Sequence, residues 1–551
     1  MDSGFSLASK ELLPRTNSPP GMHFISAIST PLQGRGLLTS VLHWGKRKIA
    51  AKKKKLDKEG VKCVFILLVL QMFSCIGFVK RQTLPQSPLG DVSQFTIASF
   101  PHTRLNEFQI LTNHKIPIRY SEGGKHYVSF TKQDWDLSYK NYDLFTKEPS
   151  DLGFKYISGN EETRIEKKHF ELSDILQGYK DNTLNQRYLK KTNESFPHFT
   201  QLYVLGETKG KQKLFAFRMT DLSVEPSSKI PVLFHCSLHA NETITTEHCY
   251  DIIYQILSSK ESTAKYLSKL DIWILPIANP DGAEAFWNQS HLLGRKNNRE
   301  DNGNGVDLNR NFPFHWGKSG SKFSSQYKTS PYYRGKEEAS EEETKMLIRL
   351  ADSHRFVASI GFHAYANSLL IPYSIESYTN PNPDLAKLMA DKIVKNVTSY
   401  HPEKEFTAKK NLYPVDGVDQ DFLYFRYGTL AYVLESSHLN PDYAQVPGII
   451  SGFRPIWQNL LNELIDSKKI WIQIQDEEKN PVSVEVRLEN LQLFHGENRT
   501  SHPNTGVFFL LWDDSLKGKI FLEKDGYESL QLDAESCLGN VPKIIIMKRK
   551  K

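Results

Sequence analysis

His239-Ala240-Asn241-Glu242 stands where one continuous apolar run ends, and His363 closes a later one. Two imidazoles and one carboxylate are the ligand set of a catalytic zinc that keeps a fourth position open for water. By itself H-x-x-E is weak, since with 18 histidines about one match arises by chance. The chemistry around it is more specific. Residues 305–313 (GVDLNRNFP) set the Arg310 guanidinium beside the Asn309 amide in what reads as an exposed turn. A planar donor fork next to an amide is a receptor for a free carboxylate, although an ordinary turn with a surface arginine is the plain alternative. Arg295, in Gly294-Arg295-Lys296-Asn297, is a second guanidinium able to approach a metal. Glu435 ends another apolar run, and a carboxylate buried beside a metal-activated water is a natural general base.

These residues need a scaffold that brings distant segments together. From about 170 to 466 the chain alternates buried-strand patterns (230–238, 270–278, 356–363, 429–435) with helical ones (243–257, 340–353, 383–397, 449–465). Such alternation predicts an α/β fold with a mixed, mostly parallel sheet and helices on both faces. In such sheets ligands gather beyond the carboxyl ends of strands, where His239, His363 and Glu435 are expected. From residue 470 the runs become short, alternating and separated by turns, which predicts a small β-sandwich. The expected organisation is a leader (1–81), an accessory or pro-segment (82–165), a catalytic domain (166–467) and the sandwich (468–551). Within 82–165, Glu122-Gly123-Gly124-Lys125 is a turn signal between two alternating stretches.

Taken in order, His239/Glu242, Asn279-Pro280-Asp281-Gly282, Arg295, Asn309-Arg310, His363, Tyr413 and Glu435 resemble the zinc metallocarboxypeptidase family over about residues 170–466. The resemblance implies a carboxypeptidase-like fold and one zinc per chain, held by His239, Glu242 and His363. It implies that Glu435 takes a proton from the attacking water and later passes one to the leaving amine, while Arg295 stabilises the oxyanion. Asn309 and Arg310 would bind the substrate's terminal carboxylate, and Tyr413 would close over the bound residue. The trailing sandwich resembles the transthyretin-like domain of the regulatory (carboxypeptidase E, N and D) subfamily.

Subfamily signals are mixed. Gly294-Arg295-Lys296-Asn297, residues 413–417 and then Gln420-Asp421 look regulatory, whereas His363-Ala364-Tyr365 looks like the digestive type. The acid that would give preference for C-terminal Lys or Arg is expected near residue 374, but Ser374 stands there with Glu376 two residues on. Gln420, at the pocket position of the digestive enzymes, is neutral. Basic, apolar and broad preferences therefore stay open.

The 551 residues have ordinary globular composition, 39% hydrophobic and 24% charged, which excludes wholesale disorder and coiled coil. Net charge is +7, yet residues 1–81 carry 14 Lys and Arg against 4 Asp and Glu, so the remainder stands at −3. A nucleic-acid partner is not expected of such a body. Nine basic residues between Lys46 and Lys62 precede an apolar stretch from Cys63 to Val79, the pattern of an export signal or signal-anchor. Met72-Phe73-Ser74-Cys75 is a loose lipoprotein cleavage match. The catalytic body is expected outside the cytoplasm, secreted or membrane-anchored through the apolar segment or a lipid. Asn241-Glu242-Thr243 is a glycosylation acceptor between two ligand positions, which favours a host that does not glycosylate, or a fold too fast for modification. Five cysteines are too few for a disulfide framework; Cys236, Cys249 and Cys537 read as buried free thiols, Cys236 pointing away from His239.

The leading expectation is an exported monomeric exopeptidase acting on peptide or protein C-termini. The same zinc chemistry on cell-wall peptides, and a catalytically inactive peptide-binding or adhesion protein, are the alternatives.

Overall fold

The alternating stretches on either side of Glu122 and Lys125 pair as strands. The computed structural model describes residues 170–288, 293–297, 305–398, 405–437 and 440–550 with their side chains, and the backbone of four strands before them. These are β1 (Thr96–Pro101), β2 (Ile118–Glu122), β3 (Lys125–Phe130) and β4 (Lys155–Ile157), an antiparallel sheet ordered β2-β3-β1-β4 in which Glu122 pairs with Lys125. The basic leader, the apolar segment 63–79 and the Cys75 motif lie outside the described residues.

The body runs α1 (Asn182–Ser195), β5 (Thr200–Glu207), β6 (Lys213–Met219), β7 (Ile230–His235), α2 (Ile244–Leu257), α3 (Lys260–Leu267), β8 (Leu270–Leu275), α4 (Pro280–Asn288), α5 (Glu342–His354), β9 (Ala358–His363), β10 (Ser368–Leu370), α6 (Leu385–Ile393), β11 (Thr407–Lys409), α7 (Asp419–Tyr427), β12 (Leu430–Glu435) and α8 (Val446–Asp466). Its eight strands form one mixed sheet, ordered β11-β10-β12-β9-β7-β8-β6-β5. The central four, β12, β9, β7 and β8, run parallel. Every residue of β8 and β9 is buried, because both faces of the sheet are covered.

Adjacent residues show which helix covers which face, since side chains alternate along a strand. Phe234 packs with Phe362, on which His248 of α2 stacks at 5.0 Å. Its neighbour His235 points the other way, its Nε2 lying 2.9 Å from Asp419 Oδ2 at the start of α7. The helix expected over 383–397 is shorter, because Asp384 caps it by accepting the Lys387 N–H at 3.0 Å.

The same alternation corrects the cysteine reading. Cys236 faces α2, and a disulfide joins it to Cys249 of that helix, with Cα atoms 6.4 Å apart. The two are therefore not free thiols: a strand end and the second turn of the helix covering it stand within bridging distance. Cys537 is free and buried, as expected.

Beyond α8 come β13 (Lys469–Asp476), β14 (Glu485–Leu488), β15 (Val507–Leu511), β16 (Lys519–Glu523), β17 (Leu530–Asp533) and β18 (Lys543–Met547). They form two three-stranded sheets, β15-β13-β18 and β14-β16-β17. Alternate residues such as Ile472, Ile474, Val486, Leu488, Ile520 and Leu522 are buried, the period that the short runs after 470 predict. Among the described residues no helix is long and apolar enough to cross a membrane.

Candidate metal centre

Three segments deliver the candidate ligands. The chain leaving β7 turns tightly through 239–245, where Glu242 N–H donates to His239 O (3.1 Å) and Thr245 N–H to Glu242 O (2.9 Å). Thr245 Oγ1 accepts from Ser237 N–H at 2.9 Å, and the disulfide closes the loop behind it. Gly294 supports its outer side: Ala240 N–H donates to Gly294 O at 2.7 Å, at φ +98, and an added Cβ would lie 3.0 Å from Asn241 N and Phe286 Cβ. The parallel strands β9 and β12 bring His363 and Glu435 into register at their carboxyl ends.

His239, Glu242 and His363 are buried and offer ligand atoms within 4.8 Å of one another. Glu242 Oε1 lies 2.8 Å from His239 Nδ1, Oε2 lies 3.1 Å from His363 Nδ1, and the two Nδ1 atoms are 3.2 Å apart. Burial by itself would raise the Glu242 carboxyl, but the two imidazoles outweigh it and bring it to about 2. Burial would lower His363; Glu242, and then Glu435 and Asp419, instead raise it to about 9. Two nitrogen donors and a carboxylate converging in a dry site fit a zinc ion.

Asp307 is the hub of the surrounding network. Its Oδ1 lies 3.0 Å from His239 Nε2 and its Oδ2 accepts from Arg295 Nη2 at 2.7 Å. Burial opposes its ionisation, yet Arg295, Arg310 and His239 hold it well below the usual carboxylate range. An ionised carboxylate can only accept, so Asp307 takes the His239 Nε2–H, and a zinc ion held beside Glu242 would take the Nδ1 lone pair. Asp307 Oδ1 also accepts the Asn309 N–H at 3.1 Å, capping a short 3₁₀ turn, Leu308–Arg310.

That turn is buried rather than exposed, which corrects the sequence reading. Arg310 donates Nε to Phe323 O and Nη1 to Asn309 O, both at 2.5 Å, and lies over the Tyr332 ring. Asn309 Oδ1 accepts the Asp419 N–H (3.1 Å), leaving its amide nitrogen 3.5 Å from His363 Nε2. The 413–417 loop docks on the same turn: Gly417 sits at φ +70 where a Cβ would collide with the Arg310 carbonyl oxygen. Tyr413 stacks on Phe323 with centroids 4.0 Å apart, and its hydroxyl, raised by burial, feels Arg310, Arg295 and Glu435. Burial pushes the Glu435 carboxyl up; His363 pulls against this and Glu242 adds to the rise.

Gln420 donates Nε2 to Ser374 Oγ at 2.9 Å, while its Oε1 is buried without a partner among the described residues. Beside it, Asp421 accepts the Ser374 N–H at 2.9 and 3.0 Å, and burial raises it to about 8. Glu376 is exposed. Asn279 is structural here, holding Leu238 O and the Gly282 N–H beside the ligand loop.

The structure thus brings His239, Glu242, His363, Glu435, Arg295, Asn309, Arg310 and Tyr413 into one network, with Gln420 bonded to Ser374 next to it. Sequence reasoning assigned no role to Asp307 or to the His235–Asp419 pair. The available signal was Asp307 itself, an acidic residue two positions before Asn309.

The chain belongs to the zinc carboxypeptidase family, whose profile matches residues 185–461. It is 34% identical over 210 residues to a metallocarboxypeptidase A-like protein of Trichophyton verrucosum, covering 36% of this chain and 49% of that one. With human mast cell carboxypeptidase A it shares 27% identity over 248 residues, 43% of this chain and 58% of the relative. The chain therefore matches between about half and less than two thirds of the length of these relatives. Among solved structures, bovine thrombin-activatable fibrinolysis inhibitor, in complex with tick carboxypeptidase inhibitor, aligns at TM-score 0.47 and 20% identity, over 53% of this chain and 99% of that one.

Proposed function

We propose that this protein is a zinc-dependent exopeptidase that hydrolyses the C-terminal bond of peptides. The observation that carries the reading is one buried network in which Asp307 links the ligand His239 to Arg295, with Glu435 in register beside His363. One zinc per chain, held by His239, Glu242 and His363, would polarise the attacking water and the scissile carbonyl. Asn309 and Arg310 seat the substrate's terminal carboxylate, so only a bond one residue from the end reaches Glu435. Glu435 accepts a proton as water oxygen bonds to the carbonyl carbon, and returns it to the amine nitrogen as the C–N bond breaks. Arg295, anchored by Asp307, offsets negative charge developing on the carbonyl oxygen. Tyr413, beside Arg310 and Glu435, covers the terminal residue.

A neutral C-terminal residue is the preferred one in this reading. Support comes from the pocket candidates: Gln420 is uncharged, Asp421 is turned onto the Ser374 backbone and protonated near neutrality, and Glu376 faces solvent.

Export of the body, with residues 1–81 as leader or anchor, is part of the same proposal. The Cys236–Cys249 disulfide supports it, since such bonds persist in oxidising compartments. Residues 468–551 are read as a transthyretin-like module, a reading supported by their two three-stranded sheets.

The test is digestion of a mixed peptide pool, half of it C-terminally amidated, by the zinc-loaded chain with mass-spectrometric readout. Loss of single residues from free C-termini alone, abolished by chelator, is expected. Internal cleavage, or equal attack on the amides, would sink the proposal.

A further inference from the structure

A cavity of about 340 Å³ lies at the end of the sheet opposite the metal centre. Pro231, Val357 and Leu430, at the amino-terminal starts of β7, β9 and β12, line it. His363 and Glu435 stand at the other ends of β9 and β12, roughly 20 Å away for six-residue strands. Its walls come from two parts of the chain. The body supplies Lys229, Arg355 and Tyr427; the C-terminal β region supplies Trp471, His502 and Phe509. A cavity of this size holds one small ligand.

The charges lining it do not balance. Arg218 is neutralised by Asp271 through bonds of 2.6 and 3.0 Å, and Arg499 is paired with Glu497 at 3.0 Å. Among the described residues Lys229 hydrogen-bonds only to uncharged oxygens, donating to Thr220 Oγ1 at 2.6 Å and to the Asp221 carbonyl, while Asp271 and Asp221 attract its charge from beyond contact. The Arg355 side chain makes no hydrogen bond or ion pair among the described residues, and Asp352 attracts its charge only from beyond contact. Its Nε is buried without a partner, and its guanidinium lies 4.7 Å from the centroid of the Tyr427 ring. Asp352, the acid nearest to it in sequence, accepts the Tyr427 hydroxyl at 2.8 Å. His354 and His502 are uncharged near neutrality, because burial lowers both, His354 to about 4.

An unpartnered buried guanidinium donor is costly unless something completes it. The planar fork of Arg355 matches a carboxylate, and Trp471 and Phe509 offer flat apolar surface. We propose that this junction cavity is a binding site for a small organic acid, its carboxylate held by Arg355 and Lys229 and its apolar body against Trp471 and Phe509. The site lies outside the peptidase cleft, and a ligand in it bridges the body and the C-terminal β region.

The test is calorimetric titration of the full chain with phenylacetate, with phenylacetamide as neutral isostere and acetate as the bare anion. Arg355 sits at φ +49, a conformation that asparagine adopts readily, so Arg355→Asn is the first variant and Lys229→Met the second. Arg310→Met controls for binding in the peptidase cleft. Phenylacetate is expected to bind Arg310→Met, in which the carboxylate receptor of the peptidase cleft is removed, and about tenfold or more weaker when Arg355→Asn or Lys229→Met is combined with it. Equal binding of phenylacetamide or of acetate, full affinity in both cavity variants, or loss of all binding in Arg310→Met would each overturn the proposal.

Discussion

His363 and Glu435 are register partners on adjacent parallel strands, so a metal-ligand position and the expected proton acceptor share one hydrogen-bonded rung of the sheet. Their separation is set by the strand spacing, about 4.8 Å, rather than by a loop. Glu435→Gln preserves shape and removes only the base. The expected outcome is a fall in kcat/KM of about 10²–10⁴, with zinc content and thermal midpoint unchanged. Steady-state kinetics alongside metal analysis checks it; a variant that loses its zinc would instead make Glu435 a structural group.

Asp307 is hydrogen-bonded to His239, a candidate zinc ligand. Replacing Asp307 by Asn weakens the acceptor for His239 Nε2–H and releases Arg295. Zinc affinity should drop about 10- to 100-fold, read by competition with a fluorescent chelator. An unchanged affinity would mean that the loop alone orients the imidazole.

The disulfide spans 13 positions and encloses both ligands of the H-x-x-E turn. Opening a loop of this length costs about 3 kcal/mol, so the Cys236→Ser, Cys249→Ser double variant should unfold at clearly lower urea. A midpoint equal to that of the wild type would show that packing of α2 on the sheet suffices.

His248 is buried against Phe362 and Phe453, its Nε2 has no partner among the described residues, and burial lowers it to about 3. Its folded pKa lies below the unfolded value of about 6.5, so the unfolded chain takes up the proton first. This group's contribution is constant above pH 6.5 and turns destabilising as pH falls from there toward 3. At pH 5 the penalty is roughly 2 kcal/mol. His248→Phe should remove it, giving a shallower loss of stability between pH 7 and 5 in urea titrations. Parallel pH profiles for the two proteins would refute the assignment.

Much of the scaffold is legible in the chain itself, because burial on both faces leaves continuous apolar runs. The runs over 230–238, 270–278, 356–363 and 429–435 became β7, β8, β9 and β12, and the short alternating runs after 470 became strands. Chemistry carried by residue type was legible too: His239, Glu242 and His363 do converge. Strand order, register and burial were not, since they depend on contacts between segments far apart in sequence. The rung joining His363 to Glu435, the sinking of Asn309-Arg310 into the interior, and Asp307 as common partner of His239 and Arg295 follow from how β9, β12 and the 305–313 segment pack. The Cys236–Cys249 bond belongs to the same class, because pairing depends on which helix covers which face. Composition and periodicity specify what each segment must bury; only tertiary packing decides which side chains then meet.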